Sequence, residues 1–190
     1  MTTPIPRTAP PAAGIRPPVL GLERDARGRL FSPQMRERFA HLGVSATRAE
    51  VIAAVSVADK KVSFLLDRTF EQVGLSLAQV RVLAIIRHHG DAGAQMNTIA
   101  LACNVTPRTT TGVVDGLETA GLVARVPDPT DRRAVIARLT PDGDRRLDAA
   151  LSLQVQVGER LLQRFTDEEQ EVLRDLCLRL VEAAVTEVQQ

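Results

Sequence analysis

Residues 96–140 read MNTIALACNVTPRTTTGVVDGLETAGLVARVPDPTDRRAVIARLT, and this stretch decides the fold. Asn97 to Cys103 has two turns' worth of apolar helical spacing, and Asn104 tolerates the left-handed backbone needed at a sharp corner. Thr106-Pro107 restarts a helix at once, with Thr as N-cap and Pro at the first helical position. Two helices joined by so short a turn must cross steeply, which is helix-turn-helix geometry. The second helix, about 106–120, turns Val113, Val114 and Leu117 toward a core and crowds Arg108, Thr109, Thr110 and Thr111 into its first turns. Gly121 closes it. Val123–Val126 and Ala134–Leu139 are β-branched enough for two strands, and the Pro- and Asp-rich run 127–133 reads as the loop between them.

Outward from this centre the pattern is helical. Ser32-Pro33 starts a short helix with Met35, Phe39 and Leu42 as its apolar stripe and Gly43 beyond its end. Thr47-Arg-Ala-Glu50 reads as a capping box opening a helix of more than twenty residues that stops near Gly74. A further helix runs from Leu75 to His89, and Gly90–Gly93 breaks it. Thr140-Pro141 starts another through Leu147, Leu151, Val155 and Phe165. Thr166-Asp-Glu-Glu169 is a second capping box, leading into Val172, Leu173, Leu176, Leu180 and Val181. The terminal helices have wider apolar faces than one chain can cover, which predicts pairing with a second copy.

Composition bounds the function. The chain is 44% apolar and only 3% aromatic, all of it Phe, so its core is aliphatic. Cys103 and Cys177 stand apart without a motif, the opening lacks the apolar run of a signal peptide, and charges interrupt every apolar stretch. These features predict a reducing, cytoplasmic setting with no membrane partner. The first twenty residues are rich in Pro and Ala and are expected to stay mobile. Net charge is +1, but residues 1–50 carry eight Arg against four acids, whereas 141–190 carry six Arg against eleven acids. The C-terminal end is thus a poor surface for a polyanion. No nucleophile with its base, glycine-rich phosphate loop or carboxylate pair suggests catalysis, so no enzyme, cofactor or metal site is expected. Adjacent His88 and His89 point about 100° apart on a helix and cannot chelate one ion together.

The segment Gly121-Leu-Val123, Asp128-Pro129, Asp131-Arg-Arg133 and Leu139-Thr140 resembles the MarR family of winged helix-turn-helix transcription regulators, and the resemblance covers about residues 46–185. It implies a mainly α fold with a small β-hairpin wing (α+β) and long N- and C-terminal dimerisation helices. Outside it, composition and the Ser32-Pro33 start predict a disordered tail over 1–30 and a short extra helix over 31–45. A helical dimerisation region then spans 46–74 and 141–190, and a DNA-binding lobe 75–140, its wing at about 123–140. The implied partners are palindromic double-stranded DNA, a second copy of the chain and a small-molecule effector that releases a repressor. The effector cavity is expected near the helices of 46–89 and 141–165. In that family the recognition helix enters the major groove and the arginine of an Asp-x-Arg wing motif enters the minor groove; the matching positions are Asp131 and Arg133. Arg132 is placed to meet phosphate. On the recognition helix Thr106 and Thr109 are expected on phosphate, Arg108 and Thr110 on base edges. Two other classes remain in play: a winged-helix protein-interaction module, and a ligand-binding protein with no DNA role. A salt-dependent gel shift with DNA tests the first, and turnover or a ligand affinity unaffected by DNA tests the second.

Overall fold

The structure is a computed structural model that describes residues 21–40, 45–128 and 134–188. The chain divides into two units, Met1–Lys61 and Val62–Gln190, with the boundary inside one long helix.

In the first unit Glu23–Arg24 (β1) pairs antiparallel with Leu30–Phe31 (β2). The Asp25 carboxylate accepts from the backbone N–H groups of Arg27 and Arg29, and Gly28 takes the left-handed φ of 76° that closes the turn. This corrects the expectation of a disordered tail through residue 30. The turn chemistry of Asp25 to Gly28 orders residues 21–31, while residues 1–20 lie outside those described. Helix α1, Pro33–Ala40, starts as expected, with buried Ser32 accepting from the Met35 N–H at 3.4 Å. Met35 is buried and Phe39 half-buried, whereas Leu42 and Gly43 fall outside the described residues.

Helix α2 runs Ala46–Phe70. The capping box expected at Thr47–Glu50 does not form. The helix already begins at Ala46, ahead of Thr47, and Glu50 instead accepts from the Ser32 backbone N–H at 2.5 Å and from Arg36 Nε at 3.0 Å. The Ser32 N–H, and after it the Arg36 guanidinium, hold the Glu50 carboxyl below the usual carboxylate range, outweighing desolvation.

In the second unit the end of α2 turns through Glu71–Val73 to Gly74, whose φ is 69°. Helix α3, Leu77–His88, opens on a capping box between Ser76 and Gln79, a start that the sequence reading placed two residues early and without its cap. A two-residue strand β3, Ala94–Gln95, precedes α4, Met96–Cys103, and α5, Pro107–Thr119. Strands β4, Val123–Pro127, and β5, Val135–Leu139, complete an antiparallel sheet of order β3-β5-β4. The expected hairpin is thus part of a three-stranded sheet. Helices α6, Pro141–Leu162, and α7, Asp167–Val188, follow. The capping box at the start of α7 forms as read, Thr166 N–H on Glu169 at 2.9 Å and Glu169 N–H on Thr166 at 3.2 Å. The fold is therefore mainly α with a small β wing, a winged helix-turn-helix. Its core gathers Phe70, Leu83, Ile86, Ile99, Val114, Leu117 and Leu147, aliphatic but for one Phe. Helix α7 buries no residue.

One close approach welds the wing to α6. Thr140 caps α6 by accepting from Gly143 N–H at 3.0 Å, and its hydroxyl donates to the Gly121 carbonyl at 2.8 Å. Its N–H donates to the Leu122 carbonyl at 3.1 Å. A Cβ on Gly143 would lie 2.0 Å from that same carbonyl oxygen, so only glycine fits.

Candidate DNA interface

The corner between α4 and α5 is built as the residues require. Asn104 is the only non-glycine with positive φ among the described residues, at 52°, and its N–H donates to the Leu101 carbonyl at 3.1 Å. Thr106 then caps α5, its Oγ1 accepting from Thr109 N–H at 3.2 Å and lying 2.9 Å from the Thr109 hydroxyl. The first turn therefore presents Thr106, Arg108 and Thr109, all exposed, at the positive end of the helix dipole, which favours an anion.

Thr110 does not join them, which corrects its assignment to a base edge. It is 1% exposed, because positions 110, 114 and 117 share the face that α5 turns into the core. Its hydroxyl donates back to the Thr106 carbonyl at 3.3 Å. The outward row is instead Arg108, Thr111, Gly112 and Asp115, all exposed.

The sequence reading missed Arg125. From β4 its Nη1 reaches Asp115 Oδ1 at 2.5 Å and Glu118 Oε2 at 2.8 Å, and its Nη2 donates to the Thr111 carbonyl at 3.5 Å. One guanidinium thus ties the wing strand to α5 and offsets two carboxylates that would otherwise repel phosphate from the same helix. The available signal was a charge seven residues downstream of Glu118, across the Gly121 turn.

The wing stem is anchored as well. Asp128, 8% exposed, accepts from Gln95 Nε2 at 2.7 Å, and its N–H donates to the Ala134 carbonyl at 3.0 Å. Asp131, Arg132 and Arg133 lie outside the described residues, which end on either side of the loop at 128 and 134. Burial pushes the Cys103 thiol up, outweighing Arg81, so it stays a protonated, half-buried side chain. Both His88 and His89 are exposed, their rings meeting edge-on at 5.8 Å. The described residues hold no group of His, Cys, Asp and Glu arranged for a metal, and no helix long and apolar enough to cross a membrane.

This architecture agrees with what the chain is similar to. The profile of the MarR family matches residues 75–135. The HTH-type transcriptional repressor MdtR of Bacillus subtilis is 31% identical over 122 residues, covering 64% of this chain and 77% of that protein. The repressor YetL of the same organism is 27% identical, covering 74% and 86%. Among solved structures, a mutant MarR from E. coli complexed with operator DNA superposes with a TM-score of 0.61 at 25% identity, over 67% of this chain and 91% of that one. The chain belongs to the MarR family of winged helix-turn-helix transcriptional regulators.

Proposed function

We propose that this regulator is a repressor that binds a palindromic operator as a homodimer and is released by a small-molecule effector. The observation that carries the DNA reading is the bare first turn of α5. Arg108 and Thr109 stand exposed at a helix N-terminus, and the carboxylates farther along the same helix, Asp115 and Glu118, are taken by Arg125. Thr106 and Thr109 then meet phosphate, Arg108 meets a base edge, and Thr111 replaces Thr110 on the outward row. The wing contributes Arg133 to the minor groove, oriented by Asp131, with Arg132 on phosphate; a narrow groove concentrates negative potential that a guanidinium matches. Two-fold symmetry calls for inverted half-sites about 10 bp apart. The operators and repressors among the chain's relatives support this reading. For the effector, a cavity of about 470 Å³ lined by Arg87, Arg138, Thr140 and Asp144 adjoins the end of α3 and the start of α6.

The test is selection of bound fragments from genomic DNA, followed by titration of Arg133→Ala and Arg108→Ala. Arg133→Ala is expected to lose about 1–3 kcal/mol of operator binding with its melt unchanged, and Arg108→Ala to relax preference at one position per half-site. Wild-type affinity for Arg133→Ala would remove the wing from the mechanism. A selected site without inverted symmetry would overturn the docking.

A further inference from the structure

We propose that Gln95 is a positioning residue for DNA recognition: it forgoes capping α4 in order to hold Asp128, and so fixes the direction in which the wing meets the minor groove. The inference rests on the role proposed above for Arg133 and deepens it. It names a residue outside the wing on which that contact depends.

Gln95 occupies the N-cap position of α4, yet its side chain makes no capping bond to that helix. The favoured residues at this position are Ser, Thr, Asp and Asn, whose short side chains fold back onto the N–H groups of the first turn. Thr106 and Thr140 do this at the starts of α5 and α6. Gln95 turns away instead, and its Nε2 donates to Asp128 Oδ2 at 2.7 Å, 33 residues farther along the chain. A Ser or Thr in its place is too short for that reach. The helix start is therefore left without its usual side-chain partner, and the side chain that could have supplied one crosses to the root of the wing.

Both ends of this bond are held. On the near side, Ala94 and Gln95 pair with Ala137 and Ile136 of β5. Gly93, with a φ of 71°, lies so close to that strand that a Cβ would sit 2.6 Å from the Ala137 carbonyl oxygen, so β3 has no room to shift. On the far side, Asp128 is buried, and its N–H donates to the Ala134 carbonyl at 3.0 Å. Arg133 is the residue that immediately precedes Ala134. One side-chain bond, one backbone bond and one peptide link thus lead from the start of the helix-turn-helix to the wing arginine. A guanidinium that enters a groove only about 6 Å wide tolerates little error in direction, and such a contact depends on the bonds that hold its support.

The experiment uses the full chain and the selected operator, carried on A·T-rich and on G·C-rich flanks. Affinity and thermal melt are measured for the parent, Gln95→Thr, Arg133→Ala and the double variant. Threonine restores a cap to α4 but does not reach Asp128, so Gln95→Thr should melt at or above the parent. Its affinity for the A·T-flanked operator should fall about three- to tenfold, as the coupling of neighbouring groups allows, with little change on G·C-rich flanks. Added to Arg133→Ala it should cost nothing more, because both act through one contact. Gln95→Leu, which keeps the bulk and loses the donor, should bind as Gln95→Thr does. Parental affinity in Gln95→Thr, an equal loss on both flanks, or a full further loss in the double variant overturns the inference and leaves the wing reading standing. A melt lowered in both Gln95 variants also overturns it, since the bond is then architectural. Parental affinity in Arg133→Ala overturns the wing reading and the inference with it.

Discussion

Helices α5 and α7 are both amphipathic and both well capped, yet their fates in the single chain are opposite. The 13 residues of α5 bury Thr110, Val114 and Leu117 against α3, α4 and β4, while the 22 residues of α7 bury nothing. The difference lies in the neighbours rather than in the helices. The apolar faces of residues 75–140 meet one another and close a core with Phe70 from the end of α2 and Leu147 and Ala150 from α6. Helix α7 buries no residue in the single chain, and in the proposed dimer its stability belongs to the assembly. A DNA-reading element must hold its shape before DNA arrives, whereas a pairing element can be finished by its partner.

The largest test of that contrast is removal of residues 167–190. Light scattering should then report a monomer, and operator affinity should fall by about two orders of magnitude or more as the second half-site contact becomes a separate event. The lobe's own melt should persist. A truncated chain that still dimerises would show that α7 is not the unfinished surface. Next comes Leu117→Ala, at a fully buried position. It should destabilise the lobe by about 2–5 kcal/mol in denaturant, while Leu176→Ala should leave the lobe's melt in place and weaken only the dimer. Equal losses would erase the distinction between the two helices.

Smaller effects sharpen the picture within α5. Arg125→Ala should cost on the order of 1 kcal/mol of stability, because its ion pairs are partly exposed. It should also weaken operator binding, since Asp115 and Glu118 lose their counterion beside phosphate. Binding unchanged in a gel shift would make the clamp purely architectural. Smallest of all, Thr110→Val should leave operator affinity at the wild-type level, because the side chain faces the core. A measurable loss would mean that α5 rolls on binding DNA.

The legible parts of this molecule were those written in local signals. Thr106-Pro107, Thr140-Pro141 and Thr166–Glu169 all start helices where they were expected, since each supplies its own cap. Thr47–Glu50 carries the same letters and fails, because Glu50 has better donors in Ser32 and Arg36. That preference depends on the first unit folding back along α2, which no local pattern announces. Strand β3 is two residues long and exists through pairing with Ala137 and Ile136 of β5, too short to show a period. Thr110 was misplaced by one helical position, the difference between a face that reads DNA and one that fills the core. Arg125 and the Gln95 to Asp128 bond join residues distant in sequence and carry no motif.

The glycine at 143 bears on how the molecule could carry a signal. At that point the end of α5, the stem of the wing and the start of α6 are joined through Gly121, Leu122 and Thr140, with the Leu122 carbonyl packed directly on Gly143 and only the short Thr140 hydroxyl bridging Gly121 and Gly143. A joint of this kind has no slack. Wherever α6 is carried by its surroundings, the trailing end of the recognition helix must follow as on a rigid lever. The distance between two recognition helices would then be set far from DNA, by how two copies of α6 are held apart.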